Sequence, residues 1–449
     1  MTNLDLRQIN TSKILSARKV FFVGIGGIGI SAIARMMFLD GKEVLGCDMS
    51  ESNITSELQS LGIQITIGQS FELIPADADL IVYTIAIPHY DPKLFKRIAE
   101  MGILYKSYPE MLGIVTANKY TIAVSGTHGK TTTTAMIAKV LIDAQKDPSV
   151  IVGSLLKDYK SNLIVGKSDF FVVEACEYER SFLNVKPKIL VITNVEEDHL
   201  DYYKALADIQ KAFGEMVSQT ENFVVYNSQD RNTQALVHDY QNSGSKVQFV
   251  DYSQYLQKVP ELSVPGEHNR LDAAAALAVA GLLGVSEDIA KKSLAEFGGT
   301  WRRLEKKGVT EQGTIVYDDY AHHPTEVRAS LGALRELYPR GSKHITVIFQ
   351  PHLYSRTKAL FDDFVTCFAE ADQVLILPIY FAREDKDESV SSEKLAEAIA
   401  KTGQNATAFP DFESAEAMVL SLKLGLGDIF VTMGAGEANK VAEKTLKLV

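Results

Sequence analysis

Cysteine is scarce in this sequence: only Cys47, Cys176 and Cys367 occur among 449 residues, and no two of them form a CxxC pair. Cysteines that are so few and so far apart exclude a disulfide framework and a structural zinc site of the usual spacing. We therefore expect three buried thiols without a special role.

Long hydrophobic runs are also missing. No stretch of about 18 uncharged apolar residues occurs, so no transmembrane helix is predicted. The first residues, MTNLDLRQINTSKIL, lack the basic start and apolar run of a secretory signal. Both observations predict a cytoplasmic protein without membrane insertion.

Positive charge is in deficit, since 46 Lys and Arg stand against 57 Asp and Glu, for a net charge of -11. This balance gives no broad basic surface for nucleic acid. A phosphate-bearing ligand must then bind at a local anion site such as a helix N-terminus. We therefore expect a small phosphorylated molecule as the ligand.

The chain is long enough for about three domains, each with its own core. Short β-branched and aromatic runs alternate with helical patterns, which predicts an α/β fold with mainly parallel, buried strands. Polar breaks at 114–120 and 298–308 predict domains at 1–116, 117–299 and 300–449. The Ala-rich run from Leu271 predicts a buried core helix.

A first glycine-rich loop follows the predicted strand KVFFV and precedes a predicted helix. This context predicts a site where backbone N–H groups hold a diphosphate, and Asp48, at the end of the next strand, is placed to bind a ribose. A nicotinamide dinucleotide and a UDP-sugar fit equally well, and a purely structural turn is the alternative. The glycines are Gly24, Gly26, Gly27 and Gly29.

A second loop follows the predicted strand YTIAVS and resembles a phosphate-binding loop. Val124 stands where the strict pattern has a glycine, so the motif is a variant. The acid-ended strand FFVVE supports it, because Glu174 is placed to bind Mg²⁺. A charged turn without a ligand is the alternative. The loop residues are Gly126, Thr127, His128, Gly129, Lys130, Thr131 and Thr132.

Four further polar motifs occur later in the chain. Those at 194–201 and 318–324 follow predicted strands, where α/β proteins bind ligands, whereas 266–269 precedes the Ala-rich helix and 301–303 opens the third domain. Each alone is weak, and a capping or surface role is the alternative for His199. The motifs are 194–201 (NVEEDHLD), 266–269 (GEHN), 301–303 (WRR) and 318–324 (DDYAHHP).

In this order the motifs closely resemble the Mur ligase family over nearly the whole chain, from FVGIGGIGISAIA and SGTHGKTTTT to FQPHLYSRT and TMGAGE. The resemblance implies a Rossmann-like N-terminal domain for a UDP-sugar, a central P-loop-type ATPase domain with a parallel sheet, and a Rossmann-like C-terminal domain that admits an amino acid. It implies an ATP- and Mg²⁺-dependent ligase that joins L-alanine to UDP-N-acetylmuramate through an acyl phosphate, acting as a monomer or homodimer in cell-wall synthesis.

The same resemblance implies roles for individual residues. The first glycine loop and Asp48 would bind the UDP-sugar, and the second loop, Asn269 and Arg302 would bind ATP. Thr131, Glu174 and His199 would be metal-site residues. Lys130, His199, Arg302, Asp319 and His323 would be catalytic, with the choice between His199 and His323 as base left open. Tyr320, His322, His352 and Arg356 would surround the amino acid.

Three places depart from the family pattern. Leu353 replaces a frequent arginine beside the amino-acid site, Asp272 replaces a frequent asparagine near adenine, and the segment 177–179 (EYE) differs from the commoner acidic-serine version beside Glu174. Three alternative functions remain open. A related ligase that adds a recycled tripeptide to the same sugar differs mainly in the amino-acid pocket. An NAD(P)-dependent oxidoreductase would use the first loop, and a non-catalytic ATP-driven switch would use the second.

Overall fold

The computed structural model describes residues 11–242, 246–381, 384–422 and 424–448. Within these ranges, no helix combines the length and the apolar composition needed to cross a bilayer. The first ten residues, on which the expectation about a secretory signal depends, lie outside the described part of the chain.

The first part of the chain forms a five-stranded parallel sheet with the order β3-β2-β1-β4-β5. Apolar strands β1 and β4 lie in the middle of this sheet and are almost completely buried. The strands are β1 (Lys19–Val23), β2 (Glu43–Asp48), β3 (Gln64–Ile67), β4 (Leu80–Tyr83) and β5 (Leu104–Ser107). The helices are α1 (Ile28–Leu39), α2 (Asn53–Ser60), α3 (Ile87–Tyr90), α4 (Pro92–Glu100) and α5 (Tyr108–Thr116).

The middle part forms a seven-stranded sheet with the order β12-β11-β10-β6-β9-β7-β8, and only the β7–β8 pair is antiparallel. The strands are β6 (Tyr120–Ser125), β7 (Ser149–Leu156), β8 (Ser161–Ile164), β9 (Phe170–Glu174), β10 (Ile189–Ile192), β11 (Phe223–Tyr226) and β12 (Gln248–Asp251). The helices are α6 (Lys130–Asp143), α7 (Leu206–Ser218), α8 (Arg231–Asn242), α9 (Glu267–Leu282) and α10 (Glu287–Ala295), with 3₁₀ segments at Tyr178–Asn184 and Tyr252–Lys258.

The last part forms a six-stranded sheet with the order β13-β14-β18-β15-β16-β17, antiparallel only between β13 and β14. The strands are β13 (Glu305–Val309), β14 (Ile315–Asp319), β15 (His344–Phe349), β16 (Gln373–Ile376), β17 (Ala406–Ala408) and β18 (Asp428–Met433). The helices are α11 (Pro324–Leu337), α12 (Tyr354–Ala359), α13 (Phe361–Thr366), α14 (Ser392–Lys401), α15 (Phe412–Ser421) and α16 (Asn439–Leu448).

These three sheets confirm the predicted α/β fold class. Each sheet lies within one of the three predicted domains, which we call the N-terminal, central and C-terminal domains. The Ala-rich helix α9 is buried against α6, as predicted for a core helix. One expectation is wrong: Cys176 is exposed, because it lies in the loop directly after β9 rather than inside the strand.

The topology of the central sheet decides where polar residues meet. Strand β6 lies between β10 and β9, and all three run parallel. Their carboxyl ends therefore lie at one edge of the sheet, where α/β folds bind ligands. The second glycine loop, Glu174 and the motif at 194–201 follow these three strands and are brought together there.

Candidate active site

The second glycine loop joins β6 to α6 and needs glycine at two positions. Gly126 and Gly129 have φ values of 137° and 80°, which residues with a side chain rarely adopt. A Cβ atom on Gly126 would lie 2.0 Å from Thr193 Oγ1, and one on Gly129 would lie 2.6 Å from Asp272 Oδ1. The loop ends at the N-terminus of α6, where free N–H groups and the helix dipole favour an anion.

Lys130 is the first residue of α6, and its side chain folds back over the loop. The ammonium group donates hydrogen bonds to the carbonyl oxygens of Gly126 and Thr127 and to the carboxylate of Glu177, 3.0 Å away. Burial opposes the charged form of Lys130, but Glu177 outweighs it and holds the pKa of Lys130 above its ordinary value. The loop thus keeps a buried cation where phosphate groups would bind.

Thr131 and Glu174 meet beside this cation. The Thr131 hydroxyl donates to Glu174 Oε1 at 3.1 Å, and the other carboxylate oxygen of Glu174 accepts from the Gly153 N–H at 2.7 Å. A hydroxyl and a carboxylate oxygen at the phosphate loop are the kind of ligands that Mg²⁺ prefers. The structure therefore brings together two of the three residues predicted for a metal site.

His199, the third of those residues, contacts a different carboxylate. Its Nε2 lies 3.5 Å from Glu177 Oε1, and its ring packs against Tyr178 with centroids 4.8 Å apart. Burial disfavours ionised Glu177, but Lys130 and His199 hold the pKa of this carboxyl below its ordinary value. Glu177 thus connects the lysine and the histidine, a role that the sequence pattern did not suggest.

A cavity of about 410 Å³ lies beside the loop, between the central and C-terminal domains. Asn269, predicted to contact adenine, lies in its wall and donates from Nδ2 to the Pro265 carbonyl at 2.5 Å. The lining residues include Thr131, Asn194, Asn269 and Asp272 from the central domain, and Arg303, Asp319, Thr325 and Glu326 from the C-terminal domain.

The two neighbouring arginines have different surroundings. Arg302 is buried inside the C-terminal domain, where it bonds Asp318 Oδ2 at 2.8 Å and the carbonyl oxygens of Gly434 and Gly436. Arg303 instead lines the cavity, and its Nη2 lies 3.4 Å from Thr131 Oγ1. The nucleotide role predicted for Arg302 therefore fits Arg303, because the guanidinium of Arg302 is occupied by bonds within its own domain.

Two buried carboxyl groups face the same cavity. Asp319 accepts from the Ser330 hydroxyl at 2.5 Å and the Ala321 N–H at 3.1 Å, and burial raises its pKa to about 6. Asp272 accepts from the Thr133 hydroxyl at 2.8 Å, and burial raises its pKa to about 7. Both groups are easier to protonate than ordinary aspartates because their ionised forms are poorly solvated.

Two of the residues predicted around the amino acid adjoin each other. The ring centroids of His322 and His352 are 5.7 Å apart. Burial lowers the pKa of His322 to about 4, so its ring is neutral near pH 7. The guanidinium groups of Arg302 and Arg303 each lie 5.2 Å from the ring centroid of Tyr320.

Arg356 completes this cluster but already has a carboxylate partner. Its Nε and Nη2 donate to Asp198 Oδ1 at 2.9 and 2.8 Å, across the boundary between two domains. Leu353, which replaces a frequent arginine, is buried, with its N–H bonded to the Tyr380 carbonyl. A substrate carboxylate would therefore have to share Arg356 with Asp198, a residue to which the sequence analysis gave no role.

His323 caps helix α11 rather than facing open space. Its Nδ1 accepts from the Thr325 N–H at 3.3 Å, so Nε2 carries the proton and donates to the Glu197 carbonyl at 3.2 Å. Burial lowers the pKa of this imidazole, and so does the positive charge of His128. Both ring nitrogens are thus engaged with backbone groups.

The first glycine loop lies at the carboxyl end of the N-terminal sheet, as predicted. The Gly26 N–H donates to Asp48 Oδ2 at 2.8 Å. The carboxylate of Asp48, which was predicted to bind a ribose, thus forms a hydrogen bond with the glycine loop. Gly27 caps α1, and a Cβ atom on Gly29 would lie 2.6 Å from the Tyr108 ring. The loop and Asp48 form one unit.

The central domain packs against this unit. Asn162, on β8, donates from Nδ2 to the Ile28 carbonyl and to Ser31 Oγ, both in the first turns of α1. A ligand held at the start of α1 would therefore lie next to the central domain.

Comparison with known proteins agrees with this geometry. Profiles described as "Mur ligase family, catalytic domain", "Mur ligase middle domain" and "Mur ligase, glutamate ligase domain" match residues 19–120, 124–280 and 302–436. The chain is 39% identical to a UDP-N-acetylmuramate--L-alanine ligase of Agathobacter rectalis, over 95% of this chain and 97% of the relative. It is 40% identical to the enzyme of that name from Caldanaerobacter subterraneus subsp. tengcongensis, over 96% and 97%.

A crystal structure of UDP-N-acetylmuramate-alanine ligase from Thermotoga maritima is similar over 96% of this chain and 98% of that chain, with 27% identity and a TM-score of 0.78. Profiles, full-length identity and architecture agree, and the chain belongs to the Mur ligase family.

Proposed function

We propose that this protein is an ATP-dependent ligase that joins L-alanine to UDP-N-acetylmuramate and produces ADP and phosphate. The observation that carries this proposal is the cavity between domains, where Thr131, next to the buried Lys130, faces Arg303 and Asp319. The curated relatives support the substrates, because proteins of that name match nearly the whole chain at 39–40% identity.

The chemistry explains why a phosphate loop is needed. A free carboxylate does not react with an amine, because its oxygen is a poor leaving group and its charge repels nucleophiles. In the proposed reaction, a carboxylate oxygen of the sugar nucleotide attacks the γ-phosphorus of ATP, the bond to the β-phosphate oxygen breaks, and ADP leaves. The alanine nitrogen then attacks the acyl carbon, the carbon–oxygen bond to phosphate breaks, and the amine gives up its proton.

Charge neutralisation at the γ-phosphoryl group is the main catalytic requirement of such a transfer. Lys130 in the second glycine loop and Arg303 in the cavity wall supply two cations on different domains. The amine proton needs an acceptor near the sugar carboxylate. Of the two candidate histidines, we favour His199, because both ring nitrogens of His323 are bonded to backbone groups.

The residues at the loop also fit Mg²⁺. Thr131 and Glu174 offer a hydroxyl and a carboxylate 3.1 Å apart, and both are hard oxygen ligands. When bound there, Mg²⁺ would screen the negative charge of the ATP phosphates. His199, the third predicted metal-site residue, is proposed as the base instead, because an imidazole that ligates a metal has no lone pair left to accept a proton. The dependence on ATP favours a cytoplasmic location.

Binding at the first glycine loop separates this proposal from the oxidoreductase alternative. We expect UDP-N-acetylmuramate to bind in a calorimetric titration, and NADH to give no heat above dilution. Gly26→Val is expected to abolish that binding, because a side chain there meets Asp48. The matched change Gly427→Val, at an exposed glycine outside the left-handed region where a Cβ atom meets nothing, should not. NADH binding that UDP-N-acetylmuramate cannot displace would contradict the proposal.

The tripeptide alternative differs only in the amino-acid substrate. We expect L-alanine to support phosphate release at lower concentration than the peptide L-alanyl-γ-D-glutamyl-diaminopimelate. A clear preference for the peptide would replace the proposed substrate without changing the reaction class.

A further inference from the structure

His128 lies in the phosphate loop, but its side chain points away from the loop toward the C-terminal domain. Its Nδ1 lies 3.2 Å from Oε1 of Glu326, in the first turn of α11. Its Nε2 lies 3.4 Å from Oε2 of Glu196, in the loop after β10. The imidazole is thus held between two carboxylates that belong to different domains.

Both carboxylates are fixed by other bonds. Glu326 accepts from the backbone N–H groups of His322 and His323 at 3.0 and 3.2 Å. Glu196 accepts from the Thr325 hydroxyl at 2.8 Å, which is a second bond across the same boundary. Because the carboxylates cannot readily move, the position of the imidazole fixes how the start of α11 lies against the phosphate loop.

This position matters for Arg303. Its Nη1 lies 3.8 Å from Glu326 Oε1, and its Nη2 reaches Thr131 in the phosphate loop. Glu326 therefore links His128 of the loop to the arginine that faces the nucleotide cavity. Moving α11 away from the loop would also withdraw Arg303.

We propose that His128 is an interdomain positioning residue: as an imidazolium between Glu196 and Glu326, it holds the C-terminal domain, and with it Arg303, over the phosphate loop. This inference rests on the proposed use of ATP and adds to it. His128 would act on nucleotide affinity through the second domain, not by touching the phosphates itself.

The charge of His128 agrees with this role. Burial opposes the imidazolium, but the two adjacent carboxylates, Glu196 and Glu326, outweigh it and raise the pKa to about 9. The other titratable group packed on the ring is His323, with centroids 4.6 Å apart, and its pKa is lowered, so it stays neutral. The bridge is therefore present at neutral pH and is lost as the pH rises through about 9.

The test is a calorimetric titration with Mg²⁺ and the non-hydrolysable ATP analogue AMP-PNP. We compare the parent protein with His128→Asn, Glu326→Gln and the double variant. Glu326→Gln retains an oxygen that can accept from the two backbone N–H groups but loses the charge. Each single change is expected to weaken binding by about tenfold, or about 1.4 kcal/mol. The double variant should be little weaker than either single one, because both changes remove the same bridge.

The control is His238→Asn on α8, an exposed histidine with 72% of its side chain accessible, which should bind AMP-PNP like the parent. Parent affinity should fall as the pH rises from 8 to 10, whereas His128→Asn should lack this fall. Two results would overturn the inference: affinities of both single variants within twofold of the parent, or fully additive losses in the double variant. A parent that does not bind AMP-PNP would overturn the proposed use of ATP as well.

Discussion

Arg302 and Arg303 are adjacent in sequence, yet they contact different groups. We expect Arg302 to contribute to stability and Arg303 to contribute to activity. Arg302 forms a buried ion pair with Asp318, so Arg302→Gln leaves a buried charge unpaired and is expected to lower the free energy of unfolding by about 3–5 kcal/mol. Arg303→Gln, at a partly exposed side chain, is expected to change it by less than about 1 kcal/mol but to reduce kcat/KM for ATP by on the order of a hundredfold.

Urea unfolding and steady-state kinetics on both variants test this division. The two roles would have to be exchanged if Arg302→Gln lost activity but kept its stability while Arg303→Gln remained active.

Lys130 is the cation that folds back over the second glycine loop. Lys130→Ala is expected to lower turnover by on the order of a hundredfold or more, because it removes a preorganised charge from phosphoryl transfer. Lys139→Ala, on the same helix but paired with Asp143, serves as the control and should keep near-parent turnover. Phosphate release measures both, and near-parent turnover in a folded Lys130→Ala would disprove the role of this lysine.

Asp272 makes stability depend on pH. Because its folded pKa of about 7 lies above the unfolded value near 3.9, the folded state binds more protons between these limits, and its stability falls as the pH rises through them. Asp272→Asn keeps an oxygen for the Thr133 hydroxyl but cannot ionise. The stability advantage of the variant over the parent should grow between pH 5 and pH 8, by on the order of 1 kcal/mol or more in urea unfolding. An equal pH dependence in both proteins would refute this account.

At the scale of elements, the turn from β6 to α6 depends on two left-handed glycines. Gly126→Ala and Gly129→Ala are each expected to lower the free energy of unfolding by about 1–3 kcal/mol, because a Cβ atom is strained there and meets Thr193 or Asp272. Gly281→Ala lies inside α9 with open space around the new methyl group, and it should raise stability by about 0.5–1 kcal/mol. Thermal unfolding compares the three; a harmless alanine at 126 or 129 would show that the loop tolerates another conformation.

Buried parallel strands could be predicted because their apolar runs are continuous. β1, β6, β9 and β10 all coincide with such runs, and their order along the chain indicated which polar residues follow strand ends. β13, with the sequence EKKGV, was missed because a half-exposed, antiparallel edge strand carries no apolar run. β17 was missed for a related reason, since it has only three residues.

For the candidate site, the sequence could predict contacts between residues of one domain but not contacts between domains. Thr131 and Glu174 follow neighbouring strands of one sheet, so topology brings them together. His128 and Glu326 are 198 positions apart and lie on different domains, and no spacing rule connects them. Arg302 and Arg303 could not be told apart by sequence, because which one faces the cavity depends on how the C-terminal domain packs.

At the scale of the whole molecule, the candidate site belongs to no single domain. The second glycine loop and Glu174 come from the central domain, Arg303 and Asp319 come from the C-terminal domain, and the helix that follows the first glycine loop contacts β8 through Asn162. Ion pairs such as Arg356–Asp198 cross the boundaries. Under the proposed function each domain would hold a different substrate, which predicts that turnover requires all three substrates at once.

Phosphate release with each substrate omitted in turn, and identification of the product by mass, tests the central claim most directly. The account predicts rapid phosphate release only when ATP, UDP-N-acetylmuramate and L-alanine are present together, with one alanyl amide formed for each phosphate. Phosphate release at the full rate without the sugar nucleotide or without an amino acid would contradict it, and so would release without amide formation.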